Sequence, residues 1–259
     1  MTAPPILRSY ERQARVFARL WRGVAFSTFV VPLLYLGAMG FGLGSLVDDG
    51  AGASELGGLE YLVFVAPGLL CANIMLGAAG ESLWPVLGGM KWQGTFNAMV
   101  TTPMRPADAF GGYVLWTMTR GAMTATSFVI VGALLGAVVS WWAVLAVPAA
   151  MLTALAFATP ITAYSAGVET DESFSIIMRI AIIPMFLFSG VFFPLSQLPT
   201  ALQPVAWLSP LWHGVELARG FTTGDFEVVA SIGHGAVLLG VVTGGWVWGV
   251  RRFTERLAS

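Results

Sequence analysis

From residue 121 to residue 168 the chain runs 48 positions without one acidic or basic side chain. As a helix at 1.5 Å per residue this stretch measures roughly 72 Å, about twice the hydrocarbon thickness of a bilayer. It therefore has to turn back on itself, and a helical hairpin across a membrane is the fold that satisfies its backbone. Ser140, Trp141 and Trp142 mark the corner, since indole rings favour the membrane interface. The rest of the chain agrees. Charged residues make up 10% and hydrophobic ones 56%, against roughly 25% charged in an average soluble domain, and mean hydropathy is +0.77. Too few ionic groups exist to cover a surface facing water, so the sequence is that of an integral membrane protein.

Apolar segments at 24–46, 61–83, 111–139, 142–164, 174–193 and 228–250 predict six transmembrane helices in one all-α domain of 259 residues. The apolar stretch 180–215 carries Pro184, Pro194, Pro199, Pro204 and Pro210, more than a straight helix can absorb. The reading is one span ending near Phe193, then a re-entrant, proline-broken outer segment over 194–227. Six crossings place both termini on one side. Arg8, Arg12, Arg15, Arg19 and Arg22 precede the first span and Arg251, Arg252 and Arg256 follow the last, which makes that side cytoplasmic. The loop after the first span carries Asp48, Asp49, Glu55 and Glu60 with no basic residue, as an external loop can. The N-terminal arginines recur every three or four residues beside an apolar stripe of Tyr10, Ala14, Phe17, Trp21 and Val24. Residues 1–23 are accordingly expected as an amphipathic interfacial helix, a lipid anchor or a contact for a cytoplasmic partner.

The chemistry that is missing narrows the function. An ion-driven carrier places carboxylates or histidines near the midplane, and here Asp and Glu avoid the span interiors, with Glu81 at the inner end of the second span. Arg120 and Arg179 lie near inner span ends, where pairing with Glu81 or Glu169 would hold them. No G-x-x-x-x-G-K-[ST] loop is present, and Lys91 follows Gly-Gly-Met. His213 and Glu216, three apart, are the polar cluster near the outer surface; they could serve as acid and base, or cap the broken segment. They carry the alternative reading, an intramembrane enzyme or ion-driven carrier, and one His with one carboxylate predicts no metal site. His234 reads as a hydrogen-bonded packing residue, and the lone Cys71 as a small core residue that excludes an intrachain disulfide. The substantial cytoplasmic loop is 84–110. Within it Trp92, Phe96 and Val100 fall at i, i+4 and i+8, one apolar stripe on a short helix that is either a surface anchor or a peg for another protein.

Three segments resemble type-2 ABC exporter permeases, in particular the nodulation-type lipooligosaccharide and drug-export branch. They are YLVFVAPGLL at 61–70, WQGTFNAMVTTPMRPAD at 92–108, and FLFSGVFFPLSQLPTALQPVAWLSPLWHGVELARG at 186–220, the last being the most specific. The resemblance covers nearly the whole chain. It implies a multi-pass subunit of a bacterial cell membrane, with two ATPase subunits and a second permease copy or paralogue as partners, besides membrane lipid and without nucleic acid. ATP and Mg would be bound by the ATPase, with no cofactor on this chain and no catalytic residue. Gly94, Thr95, Phe96 and Asn97 would be its coupling helix, with the Phe96 ring as the peg that seats in the ATPase. Phe188, Phe192, Phe193, Pro194 and Pro199 would close the outer gate. Phe64, Met75, Met185 and Phe188 either line a greasy substrate path or face lipid.

Overall fold

A backbone that water cannot reach must satisfy its own N–H and C=O groups, and in one chain the local way to do so is the helix. In a computed structural model of the chain, which describes residues 4–48, 56 and 58–258, every regular element is helical. Helix α1 spans Pro5–Gly37 and continues through a wide turn, Ala38–Gly44, into the single turn Ser45–Asp48. Helix α2 is Tyr61–Ser82. The loop expected on the inner side holds the turns Trp84–Leu87 and Gly88–Trp92 and the short helix α3, Thr95–Val100. Helix α4 is Pro106–Leu134, and α5 is Ala146–Ala166 behind the tight turn Trp141–Leu145. Then come α6, Glu172–Ile177, a wide turn Met178–Ile182, and α7, Ile183–Phe188. The segment expected on the outer side contains the turn Leu195–Gln197, α8 at Gln203–Trp207 and α9 at Pro210–Thr223. The last helix, α10, is Val228–Leu257.

Among the described residues five helical stretches are long and apolar enough to cross a membrane: Pro5–Asp48, Tyr61–Trp92, Pro106–Leu134, Trp141–Ala166 and Val228–Leu257. The expected span 174–193 is built instead from α6, the wide turn and α7, which end at Phe188, where Gly190 takes φ +74° and turns the chain. Asp49 and Glu55 of the acidic loop lie outside the described residues.

The interior is set by small residues. Helix α5 lies against α2, α4, α9 and α10, and its buried Ala146, Ala150, Ala154 and Ala158 let neighbouring backbones approach closely. Helix α2 is apolar all round and buried along its length, as such a helix must be. The corner falls where the tryptophans place it. Gly136 closes α4 with φ +81°, Ser140 Oγ accepts from the Trp142 amide at 3.2 Å, and Trp141 is exposed.

One expectation is revised. No break separates an interfacial helix from the first span; α1 runs unbroken past residue 23, packed along α4. Its aromatic stripe finds protein partners, with Tyr10 and Phe17 packing edge-on to Trp116 at 5.6 and 5.4 Å between ring centres. Ser9 Oγ donates to the Ala109 carbonyl at 3.0 Å, and Ser127 Oγ to that of Thr28 at 2.6 Å. Gly111 and Gly112 leave the room that Ile6 and Ser9 fill. Tyr10 and Phe17 of the stripe that reads as lipid-facing thus lie on the seam of a helix pair, while Trp21 is exposed.

Candidate functional site

At the end expected to face inward, Gly94 adopts a left-handed conformation, φ +61°, and starts α3. That single residue rotates α3 away from the turn Gly88–Trp92. Trp92, on the turn, is 64% exposed, whereas Phe96, on the helix, is 2% exposed. Phe96 is therefore not a peg projecting from the loop, and the expected Trp92–Phe96–Val100 stripe does not form. Its ring sits edge-on to Phe253 and Tyr113 at 5.2 and 5.8 Å, in a cluster with Phe110 and Met90. A Cβ on Gly89 would fall 2.6 Å from that ring, so glycine is what lets Phe96 lie flat on the preceding turn. The surface offered outward is Trp92, Gln93, Asn97 and Ala98. Asn97 Nδ2 donates to the Met90 carbonyl at 3.3 Å, and Arg12 Nη2 donates to Thr95 Oγ1 at 3.2 Å, so α3 is tied to both its own loop and α1.

Ion pairs brace this end. Glu169, in the loop after α5, pairs with Arg256 of α10, and Lys91 Nζ donates to the Glu169 carbonyl at 2.8 Å. Arg256 beside it holds the exposed Glu169 carboxyl below the usual carboxylate range. Arg120 Nε lies 3.0 Å from Glu81 Oε1, with its guanidinium 5.6 Å from the Phe17 ring centre, the pairing expected for Arg120.

The expected substrate-path residues divide. Phe64 and Met75, 5% and 0% exposed, belong to the core of the chain, so neither lines an open path. Met185 and Phe188 line an apolar cavity of about 360 Å³ between α7 and α8, floored by Ser189 and Ser209, whose hydroxyls lie 2.8 Å apart. Cys71 is fully buried in the same core as Met75.

The outer segment is organised by its prolines as helix starters. Pro204 and Pro210 occupy the first turns of α8 and α9, where a missing N–H costs nothing. Phe192 packs edge-on to Phe186 at 5.2 Å; Phe193 and Pro194 are half-buried and Pro199 is exposed. The residue that seats the segment is Val191, fully buried against Gly68 of α2, where a Cβ would meet Val191 backbone atoms at 2.7 to 3.1 Å. Backbone cannot step aside as a side chain does. Gly68→Ala is expected to cost about 1–3 kcal/mol, read as a lowered unfolding temperature in detergent; an unchanged temperature would show that the seat yields.

His213 and Glu216 do not act on each other. Glu216 Oε1 accepts from Arg219 Nη1 at 2.8 Å, and His213 engages the Trp207 carbonyl and His234. The organiser is Arg219, a residue absent from the sequence-based expectations: Nη2 donates to the Gly190 carbonyl at 2.6 Å, and the guanidinium lies 4.0 Å over the Phe64 ring. A signal for it exists in the sequence, with Glu216 three residues before Arg219 on one helix. The described residues contain no group of three or more metal-ligating side chains. This arrangement braces a structure; it presents no nucleophile with its base.

Comparison with known proteins gives one consistent result. The ABC-2 type transporter family matches residues 8–222. Nodulation protein J of Rhizobium leguminosarum bv. viciae is 33% identical over 189 residues, covering 73% of this chain and 70% of that protein. Nodulation protein J of Rhizobium meliloti (strain 1021) is 30% identical over 222 residues, covering 84% and 82%. The inner membrane transport permease YadH of Escherichia coli (strain K12) is 23% identical over 237 residues, covering 86% of each.

Proposed function

The chain belongs to the ABC-2 type transporter family, and on that premise we propose that it is the permease subunit of an ATP-driven exporter that carries lipid-like, glycolipid or amphiphilic drug molecules out of the cytoplasm or the inner leaflet. In this reading α6 and α7 complete a sixth crossing, both termini face the cytoplasm, and two permease subunits work with two ATPase subunits in a bacterial cell membrane. ATP and Mg belong to the ATPase. What this chain supplies is a lever and a path.

One observation carries the reading: the inner loop is a helix anchored to the bundle by Phe96 that turns Trp92 outward. A partner's movement at Trp92 would reach α4 and α10 through the Phe96 cluster and α1 through Thr95 and Arg12. Trp92 offers an uncovered indole on the loop, and a seated indole buries on the order of 150–250 Å². The ATPase is the partner proposed to cover it.

The test is co-purification of the permease with the ATPase expressed beside it. Wild-type complex should hydrolyse ATP in a manner that responds to the permease. Trp92→Ala should leave membrane insertion intact and weaken coupled hydrolysis roughly a hundredfold, the equivalent of about 3 kcal/mol of docking free energy. A transport-competent permease that binds no ATPase, or undiminished coupling in Trp92→Ala, would overturn the assignment.

A further inference from the structure

His213 and His234 are the only two histidines of the chain, and the fold brings them together with Nδ1 of one 2.8 Å from Nδ1 of the other. His213 Nε2 lies 3.0 Å from the Trp207 carbonyl oxygen. A carbonyl only accepts, so Nε2 of His213 carries the hydrogen. In its neutral form His213 then has a lone pair at Nδ1, and His234 must donate from its own Nδ1. One added proton is tolerated, because a cationic His213 can donate from Nδ1 to a His234 protonated at Nε2 alone. Two are not, because two N–H groups would then face each other across the same 2.8 Å.

Three elements meet at this contact. Trp207 ends α8, His213 stands on the first turn of α9, and His234 on the second turn of α10. Trp212 closes over both imidazoles, with ring centres at 4.8 and 5.0 Å, and His213 is buried. The charged groups around the pair are Glu216 and Arg219 on α9, engaged with each other, and Asp225 and Glu227 in the connection to α10. All four line, with His234, an outer pocket of about 240 Å³. Among the described residues no carboxylate is hydrogen-bonded to either ring; Glu216 acts on His234 only across space and is itself paired with Arg219.

Resting on the export reading above, we propose that the imidazole pair is an acid-released latch of the exit: it holds α9 against the last span while it carries at most one added proton, and a second proton taken up from outside separates the two helices. Burial, and next His234, hold His213 below the ordinary imidazole value. The latched state therefore binds the second proton less readily than the open one. The latch is at full strength above about pH 6.5 and weakens as pH falls below it.

With two histidines in all, ¹⁵N-histidine labelling of the full chain in lipid nanodiscs gives a spectrum of this pair alone. At neutral pH the expected result is a nitrogen–nitrogen coupling across the hydrogen bond, with His213 protonated at Nε2, and loss of the coupling in acid. Two independent imidazoles with ordinary titration and no coupling would overturn the proposal. A second measurement reads the helices themselves. Ser209→Cys, at a buried position, is labelled from outside by an impermeant thiosulfonate, with the rate divided by that of exposed Ala201→Cys. That ratio should rise about tenfold between about pH 7.5 and about pH 5.5, since one linked proton can shift an equilibrium by up to tenfold per pH unit. Adding His234→Asn, which keeps a donor near the Nδ1 position and cannot titrate, should hold the ratio low at both pH values, and His234→Leu should raise it at both. A flat ratio in the parent, or a persistent pH response with Asn, would sink the latch. Neither measurement involves an ATPase, so an intact histidine response in a permease that fails to couple would count against the export reading alone.

Discussion

Phe96→Ala is expected to destabilise the protein by about 3–5 kcal/mol, the loss typical of a large buried aromatic truncated in a packed site. The ring is 2% exposed and touches three elements at once: the turn at Gly89, α4 through Tyr113 and α10 through Phe253. None of these can close the gap cheaply. Phe110 and Phe253 are themselves fixed edge-on at 5.2 Å, and Tyr113 is held by its hydroxyl, which donates to the Glu81 carbonyl at 2.6 Å. Against a typical total stability of about 5–15 kcal/mol, such a loss should show as a sharply lower unfolding temperature in detergent and poor recovery from the membrane. Phe96→Leu, which keeps much of the volume, should recover a large part of it. The contrast with Trp92→Ala is the informative one, because that change should spare the fold and break the coupling. If Phe96→Ala unfolds like wild type yet loses ATPase coupling, the ring faces a partner and the buried placement is wrong.

That pair of residues also shows where sequence reasoning stops. The i, i+4, i+8 spacing of Trp92, Phe96 and Val100 defines one stripe only if the helix is continuous, and a glycine at position 94 is compatible with a helix or with a left-handed break. The backbone takes the break, and the two aromatics part company. Phe64 and Met75 escape a sequence reading for a different reason. Helix α2 is apolar on every face, so its periodicity carries no information about which side meets protein. The legible features rest on strong local physics: the uncharged stretch too long for one span, the Ser-Trp-Trp corner, and prolines too dense for a straight helix. The first two stand in the structure as expected, and Pro204 and Pro210 start short helices. The N-terminal stripe is legible as amphipathic, but an apolar stripe packs as readily on Trp116 as on lipid. The pairing of His213 with His234, 21 residues apart, depends on how α9 folds back on α10, which no local pattern encodes.

Arg219→Met is expected to loosen the outer segment by about 3 kcal/mol. Removing one partner of a buried ion pair costs about 3–5 kcal/mol because the other charge is left behind. The lower end applies here, since the Glu216 side chain is 35% exposed and water can solvate it in part. The guanidinium does more than neutralise Glu216. It joins α9 to the end of α7 through the Gly190 carbonyl and lies on Phe64 of α2, so one planar cation ties three elements. Lysine has a single point of charge and cannot span that fork, so Arg219→Lys should recover little. Adding Glu216→Gln to Arg219→Met removes the stranded carboxylate and should return part of the loss, leaving the unmet Gly190 carbonyl as the residue of the defect. The measurement is the unfolding temperature of these three variants and of Glu216→Gln alone, together with labelling of Ser209→Cys from outside in each. Additive effects of Arg219→Met and Glu216→Gln would mean that the two charges are solvated separately, and the outer segment would then have to be held by Val191 on Gly68 and by the histidine pair alone.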